Sequence, residues 1–173
     1  FLNSVESGKE PDYYLKGVIK IIPTINLPAF QEGNSSWSLH DLDMNLSFPG
    51  NDQGEVTEQI AATVYQQTKD SQFGIILQSA ETHYDNAPHL ICLNPDGLAK
   101  DFARSLGTNF VREPIVSSNF KLGLYNQWAE HIITSVILSL GKPSHLDTRL
   151  CESIFPNLIN SLLWTEVLGN KRK

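Results

Sequence analysis

Residues 55–79 read EVTEQIAATVYQQTKDSQFGIILQS, and the pattern changes part-way along. In the first sixteen positions Val56, Ile60, Val64 and Thr68 recur every four residues, with Ala61 and Tyr65 beside them. That is one stripe of a helix. Glu55 and Glu58 fall in its first turn, where the helix dipole favours negative charge. From Phe73 to Ser79 the run is apolar at consecutive positions. A strand covered on both faces reads this way, whereas a half-exposed strand alternates.

The same two patterns extend outward in both directions. Residues 17–25 (GVIKIIPTI), 89–93, 110–116 and 132–140 read as further strands, with Pro23 limiting the first and Gly141 closing the last. Residues 95–106 read as a helix ended by Gly107, and residues 122–131 as a short helix. Residues 148–168 read as a long helix, bent at Pro156 and stopped by Gly169. No internal repeat or low-complexity tract interrupts this order. Doubly buried strands alternating with amphipathic helices predict an α/β fold: three αβα layers around a central mixed, mostly parallel sheet. One domain spanning residues 1–173 is the expectation from length. Ligands in such sheets gather at the carboxyl ends of strands, here Asn26 onward, residues 78–81 and residues 139–141. Residues 26–54 hold no sustained period, and loops this long inside a compact domain are usually functional.

Composition narrows the possible partners. The 173 residues include 13 Lys+Arg against 19 Asp+Glu, a net charge of −6, with 18% charged and 40% hydrophobic residues. A chain of this size hides about 70% of its unfolded surface and needs no disulfide staples. The acidic balance lacks the electrostatic footprint of a nucleic-acid binder. No apolar run approaches the roughly 20 residues that span a bilayer. Cys92 and Cys151 stand alone, without a second cysteine at metal-ligand spacing. They read as two buried free thiols in a reducing, cytoplasmic setting.

Three blocks carry a resemblance. Gly17-Val-Ile-Lys-Ile-Ile-Pro23-Thr-Ile-Asn26, followed by Pro28-Ala29, resembles a strand and turn of the form G-x-v-x-v-x-P-x-x-N-x-x-A. Asp43-Met-Asn45-Leu-Ser-Phe48-Pro49-Gly50 resembles D-x-N-R-x-F-P-G, and Glu58-Gln-Ile-Ala61 resembles the E-R-I-A helix that follows it. Together they resemble the succinylglutamate desuccinylase/aspartoacylase family, relatives of the zinc carboxypeptidases, over roughly residues 15–169. The resemblance implies a zinc carboxypeptidase-like fold and hydrolysis of an amide or ester at one zinc ion. It implies an early H-x-x-E pair and a later His in D-L-H-S as metal ligands. It further implies an Arg in N-R that grips a substrate carboxylate, and a Glu in E-x-G as general base.

Residue by residue, the matching positions depart from that pattern. No His precedes His40, so the H-x-x-E segment has no counterpart, and the family's C-terminal β-rich domain is also expected to be absent. Gln78 stands at the His-ligand position, Leu46 at the Arg position and Ser139 at the general-base position. A neutral amide oxygen is a poor zinc donor, and a catalytic zinc needs about three protein ligands. A hydroxyl has no proton-accepting group near neutral pH, and losing a general base costs about 10²- to 10⁴-fold. Leu46 makes no charge-assisted bond to a carboxylate. Asn26, Asn45, Phe48-Pro49-Gly50 and Gly141 are retained. The expectation is a degenerate, non-catalytic member with no cofactor, which binds a small molecule or a protein in the former cleft through residues such as Asn45 and Leu46. The alternative is a zinc-dependent hydrolase of N-acyl amino acids whose missing ligands lie upstream or on a partner.

Other constellations carry less. Glu81, His83, Asp85 and His89 lie close in sequence, but His-x-Asp is a weak ligand spacing and reads as a polar loop over the sheet edge. Ser139 lacks half of a G-x-S-x-G elbow, and His145 and Asp147 nearby do not make a triad. His40 and Asp41 read as turn residues. Trp37, Trp128 and Trp164 are scattered as packing residues are.

Overall fold

The computed structural model describes residues 1–34, 36–38, 43–79, 86–93, 97–108, 110–113, 123–142, 145 and 147–172. At its centre is β5 (Thr134–Gly141), whose TSVILSLG run is buried along most of its length. Strand β2 (Phe73–Ser79) lies parallel to it on one side, in register from Phe73 opposite Thr134 to Ser79 opposite Leu140. Strand β3 (Asn86–Ile91) lies antiparallel on the other side, and β4 (Val111–Arg112) runs parallel to β3. The order is β2-β5-β3-β4, mixed with parallel pairing predominant, as the doubly buried runs predict.

Alternation along β5 sends successive side chains to opposite layers. Val136 and Leu138 join Leu90 and Cys92 against α4 (Gly97–Ser105) and α6 (Thr148–Trp164), which contribute Phe102, Ala103 and Ile154. The opposite face receives α3 (Val56–Thr68) and α5 (Leu124–Glu130). Ala61, Val64, Tyr65, Leu124 and Trp128 close there over Ile133, with Met44 and Phe48 in the same cluster. Gly74 of β2 is the residue that lets this layer close, because a Cβ there would enter the Trp128 ring. The indole N–H of Trp128 donates to Thr68 Oγ1 at 3.0 Å, so its one polar atom is satisfied in the core.

Local chemistry sets the helix starts. The Glu58 carboxylate accepts the Glu55 N–H at 2.9 Å, half of a capping box. Asp147 accepts from the N–H groups of Arg149 and Leu150 at the head of α6. Asn26 caps α2 (Leu27–Glu32), which ends at Gly33 with φ of +70°. The stretch between residues 26 and 54 therefore holds a short helix and a 3-10 turn at Met44–Leu46.

Several expectations are corrected. Residues 17–25 form no strand. Among them only Gly17 makes a main-chain bond to another described element, donating to the Val167 carbonyl, and a strand exists only where a neighbour completes its ladder. The last helix stops at Trp164, not Leu168. A turn with Glu166 at φ of +58° intervenes, and Gly169 lies inside β6 (Leu168–Asn170). That strand pairs antiparallel with β1 (Tyr13–Leu15), which follows α1 (Leu2–Glu6). The expected strand at residues 110–116 is described only at Val111–Arg112; residues 114–116 lie outside the described residues. Cys151 is exposed, not buried, while Cys92 is buried and both are free.

Candidate binding cleft

Sheet register brings three polar side chains into one row. Gln78 of β2 lies opposite Ser139 of β5, and Ser139 lies opposite His89 of β3. Residues in register on neighbouring strands point to the same face. Here it is the α3/α5 face, since the row beneath, Ile76, Ile137 and Ile91, packs on Tyr125 of α5. The polar row thus sits one step beyond an apolar floor, towards the carboxyl ends of β2 and β5. Ser139 is buried, and Gln78 and His89 are half-buried. His89 Nδ1 lies 3.1 Å from the Ala87 carbonyl oxygen. A carbonyl only accepts, so Nδ1 carries the proton, and in the neutral ring Nε2 is left as an acceptor.

The stretch after residue 26 carries the other residues that the resemblance marks. Asn26 Oδ1 accepts the Ala29 N–H at 3.2 Å, and its buried Nδ2 finds no partner among the described residues. Asp43 accepts the Asn45 N–H at 2.9 Å and so fixes the 3-10 turn that carries Asn45 and Leu46. Met44 and Phe48 flank these two residues and are buried in the cluster that also holds Ile76, two positions before Gln78. The Phe48-Pro49 peptide is cis and leads into Gly50 at φ of +92°, pressed on the α3 backbone at Glu58 and Ala62, where no Cβ fits. The Phe-Pro-Gly block is therefore a packing device that fixes the turn carrying Asn45 and Leu46 against α3. Leu46 is exposed on that turn.

The groups buried beneath the row offer no activated nucleophile. The Tyr125 hydroxyl accepts the Leu93 N–H at 2.6 Å and lies 3.3 Å from the Ser135 carbonyl oxygen, to which it donates. Burial pushes its pKa far above the ordinary phenol value, and burial also raises the Cys92 thiol. Both stay protonated at neutral pH.

The other sequence candidates fall as follows. His40, Asp41, Glu81, His83 and Asp85 lie outside the described residues. His89 lies in β3, as the strand read from residue 89 expects, but its place opposite Ser139 comes from antiparallel register with β5, which leaves no local signal. Asp147 is engaged as the cap of α6, and Ser139 is buried in the sheet. Among the described residues, no group of three or more His, Cys, Asp or Glu side chains converges as a metal site. The row contributes an amide, a hydroxyl and one imidazole. That donor set does not fit a catalytic zinc, which takes about three nitrogen, sulfur or carboxylate ligands.

No family model and no curated protein sequence matches the chain. Solved structures do. The product-bound ectoine utilization protein EutE (DoeB) from Ruegeria pomeroyi aligns with a TM-score of 0.73 and 22% identity, covering 86% of this chain. The fold is that of the succinylglutamate desuccinylase/aspartoacylase structures. A succinylglutamate desuccinylase/aspartoacylase from Rhodobacter sphaeroides gives a TM-score of 0.72 at 17% identity, and a succinylglutamate desuccinylase from Silicibacter sp. TM1040 gives 0.73 at 20%, each over 86% of this chain. The chain spans about half the length of these desuccinylase-like structures, 47%, 44% and 47% respectively.

Proposed function

We propose that this chain is a divergent member of the succinylglutamate desuccinylase/aspartoacylase group that binds a ligand in the inherited cleft without hydrolysing it. One observation carries the reading: Gln78 and Ser139 are direct neighbours across β2 and β5. These are the two positions that motif matching pairs with the metal-ligating His and the general-base Glu. Two motifs 61 positions apart in sequence converge on one spot, which supports the correspondence. At that spot an amide and a hydroxyl donate and accept hydrogen bonds but neither activate water nor hold a cation strongly. With Leu46 in the clamp position, the cleft suits a neutral polar group flanked by apolar surface better than a free carboxylate.

The test is direct. The protein is dialysed against zinc, its metal content is measured, and it is assayed on N-acyl amino acids and simple esters. The expected outcome is less than stoichiometric zinc and no turnover above background. A tightly held equimolar zinc with hydrolysis would reverse the reading. The shorter span relative to the desuccinylase-like structures supports a second reading. In it, ligands from polypeptide outside residues 1–173 complete a zinc hydrolase, and Gln78→Ala in the longer protein then abolishes activity.

A further inference from the structure

Two members of the polar row bond indiscriminately. The Gln78 amide and the Ser139 hydroxyl each donate and accept, and each rotates to suit what it meets. Neither side chain makes a hydrogen bond to another described residue. Ser139 is 3% exposed, so its hydroxyl has little access to water and gains from any group that bonds it.

His89 is different. Its Nδ1–H is committed to the Ala87 carbonyl oxygen at 3.1 Å, within its own strand. The neutral ring therefore leaves only an acceptor, Nε2, for a partner. The floor of the row adds nothing polar, since Ile76, Ile91 and Ile137 are apolar and the Tyr125 hydroxyl beneath them is engaged with Leu93 and Ser135.

A fixed acceptor beside an adaptable hydroxyl sorts ligand groups. A carboxylate has no donor for Nε2, and neither has an ester. An ammonium has the donor but brings a charge that no group of the row or its floor balances. A carboxamide has both an N–H for the ring and a carbonyl for a donor. His89 and Ser139 are opposite each other in antiparallel register, with Cβ atoms of such pairs about 4.5–5.5 Å apart, a spacing that one carboxamide can bridge. Building on the ligand-binding reading above, we infer that His89 is the specificity-determining residue of the row and that it selects an uncharged carboxamide, with the ligand N–H on Nε2 and its carbonyl oxygen on the Ser139 hydroxyl.

Three probes of one shape test this: benzamide, benzoate and methyl benzoate, titrated into nitrogen-15-labelled, zinc-free protein and followed by NMR. Benzamide is expected to bind about tenfold more tightly than either of the others, with shifts centred on His89, Ser139 and Gln78. His89→Phe keeps a ring and removes the acceptor, and is expected to lower benzamide to the affinity of the ester. His89→Gln supplies a donor as well as an acceptor, and is expected to raise the ester towards benzamide. A purely structural role would weaken all three probes alike in both variants. Equal binding of the three probes, no binding of benzamide, shifts centred elsewhere, or a preference that survives His89→Phe overturns the assignment. The two readings fail separately: equimolar zinc with hydrolysis removes ligand binding without turnover, whereas equal binding of the probes by zinc-free protein removes the role of His89 alone.

Discussion

Ile132 holds a left-handed backbone at φ of +60° with its side chain 91% exposed. A β-branched residue is strained in that region, and nothing is packed on it in return. Ile132→Gly is therefore expected to raise stability by about 1 kcal/mol, seen as a higher urea midpoint with an unchanged slope. Titration supplies the second expectation at this scale. The Cys92 thiol and the Tyr125 hydroxyl are both raised by burial, so above pH 9.0, the ordinary thiol value, the unfolded chain loses protons that the folded chain keeps. Stability is fully present below that pH and falls as pH rises beyond it. Urea midpoints followed upward from pH 9.0 check the sign. A thiol reagent at neutral pH should modify Cys151 in the native protein and reach Cys92 only after denaturation.

At the scale of elements, α6 carries its own defect. Pro156 sits inside the helix, where it removes one hydrogen bond, and its ring is exposed, so little packing depends on it. Pro156→Ala is expected to stabilise the protein by about 1–3 kcal/mol, measurable as a rise in melting temperature. The elements most legible in the sequence were those whose burial is decided by their own residues. The four-residue stripe of α3 and the apolar run of β5 were visible because each is covered on the faces that its pattern marks, and β2 forms the strand its run predicts although Leu77 stays exposed. Residues 18–25 have the composition of a strand and form none among the described residues, because pairing belongs to a neighbour that pattern cannot supply. The three-residue strands β1 and β6 were invisible for a related reason: each is too short to show a period. The end of α6 was misplaced because apolar residues continue through Val167 and Leu168, although the chain turns at Glu166 into β6.

For the whole molecule, the sheet does what separated motifs cannot do alone. Gln78 and Ser139 were singled out by resemblance, and the parallel pairing of β2 with β5 makes them adjacent. His89 joins them only through the antiparallel register of β3, so it was beyond reach of any local reading. Asn45 and Leu46 are held on an exposed turn because Met44 and Phe48 sink into the α3/α5 layer on either side of them. The polar row is a property of the assembled sheet, and its chemistry follows from which three side chains share it.

The pairing of β1 with β6 joins Tyr13 to Asn170 and Leu15 to Leu168, and Lys171 and Arg172 extend the seam by bonding to the Asp12 carbonyl and carboxylate. During synthesis residues 1–15 therefore wait for partners that lie more than 150 positions later in the chain. Val5, Tyr13 and Leu15, which pack with Leu168, stay uncovered until that residue has been made. Polypeptides that stop before residue 168 should be protease-sensitive at both α1 and the end of α6, and those that include residues 168–172 should be resistant at both together.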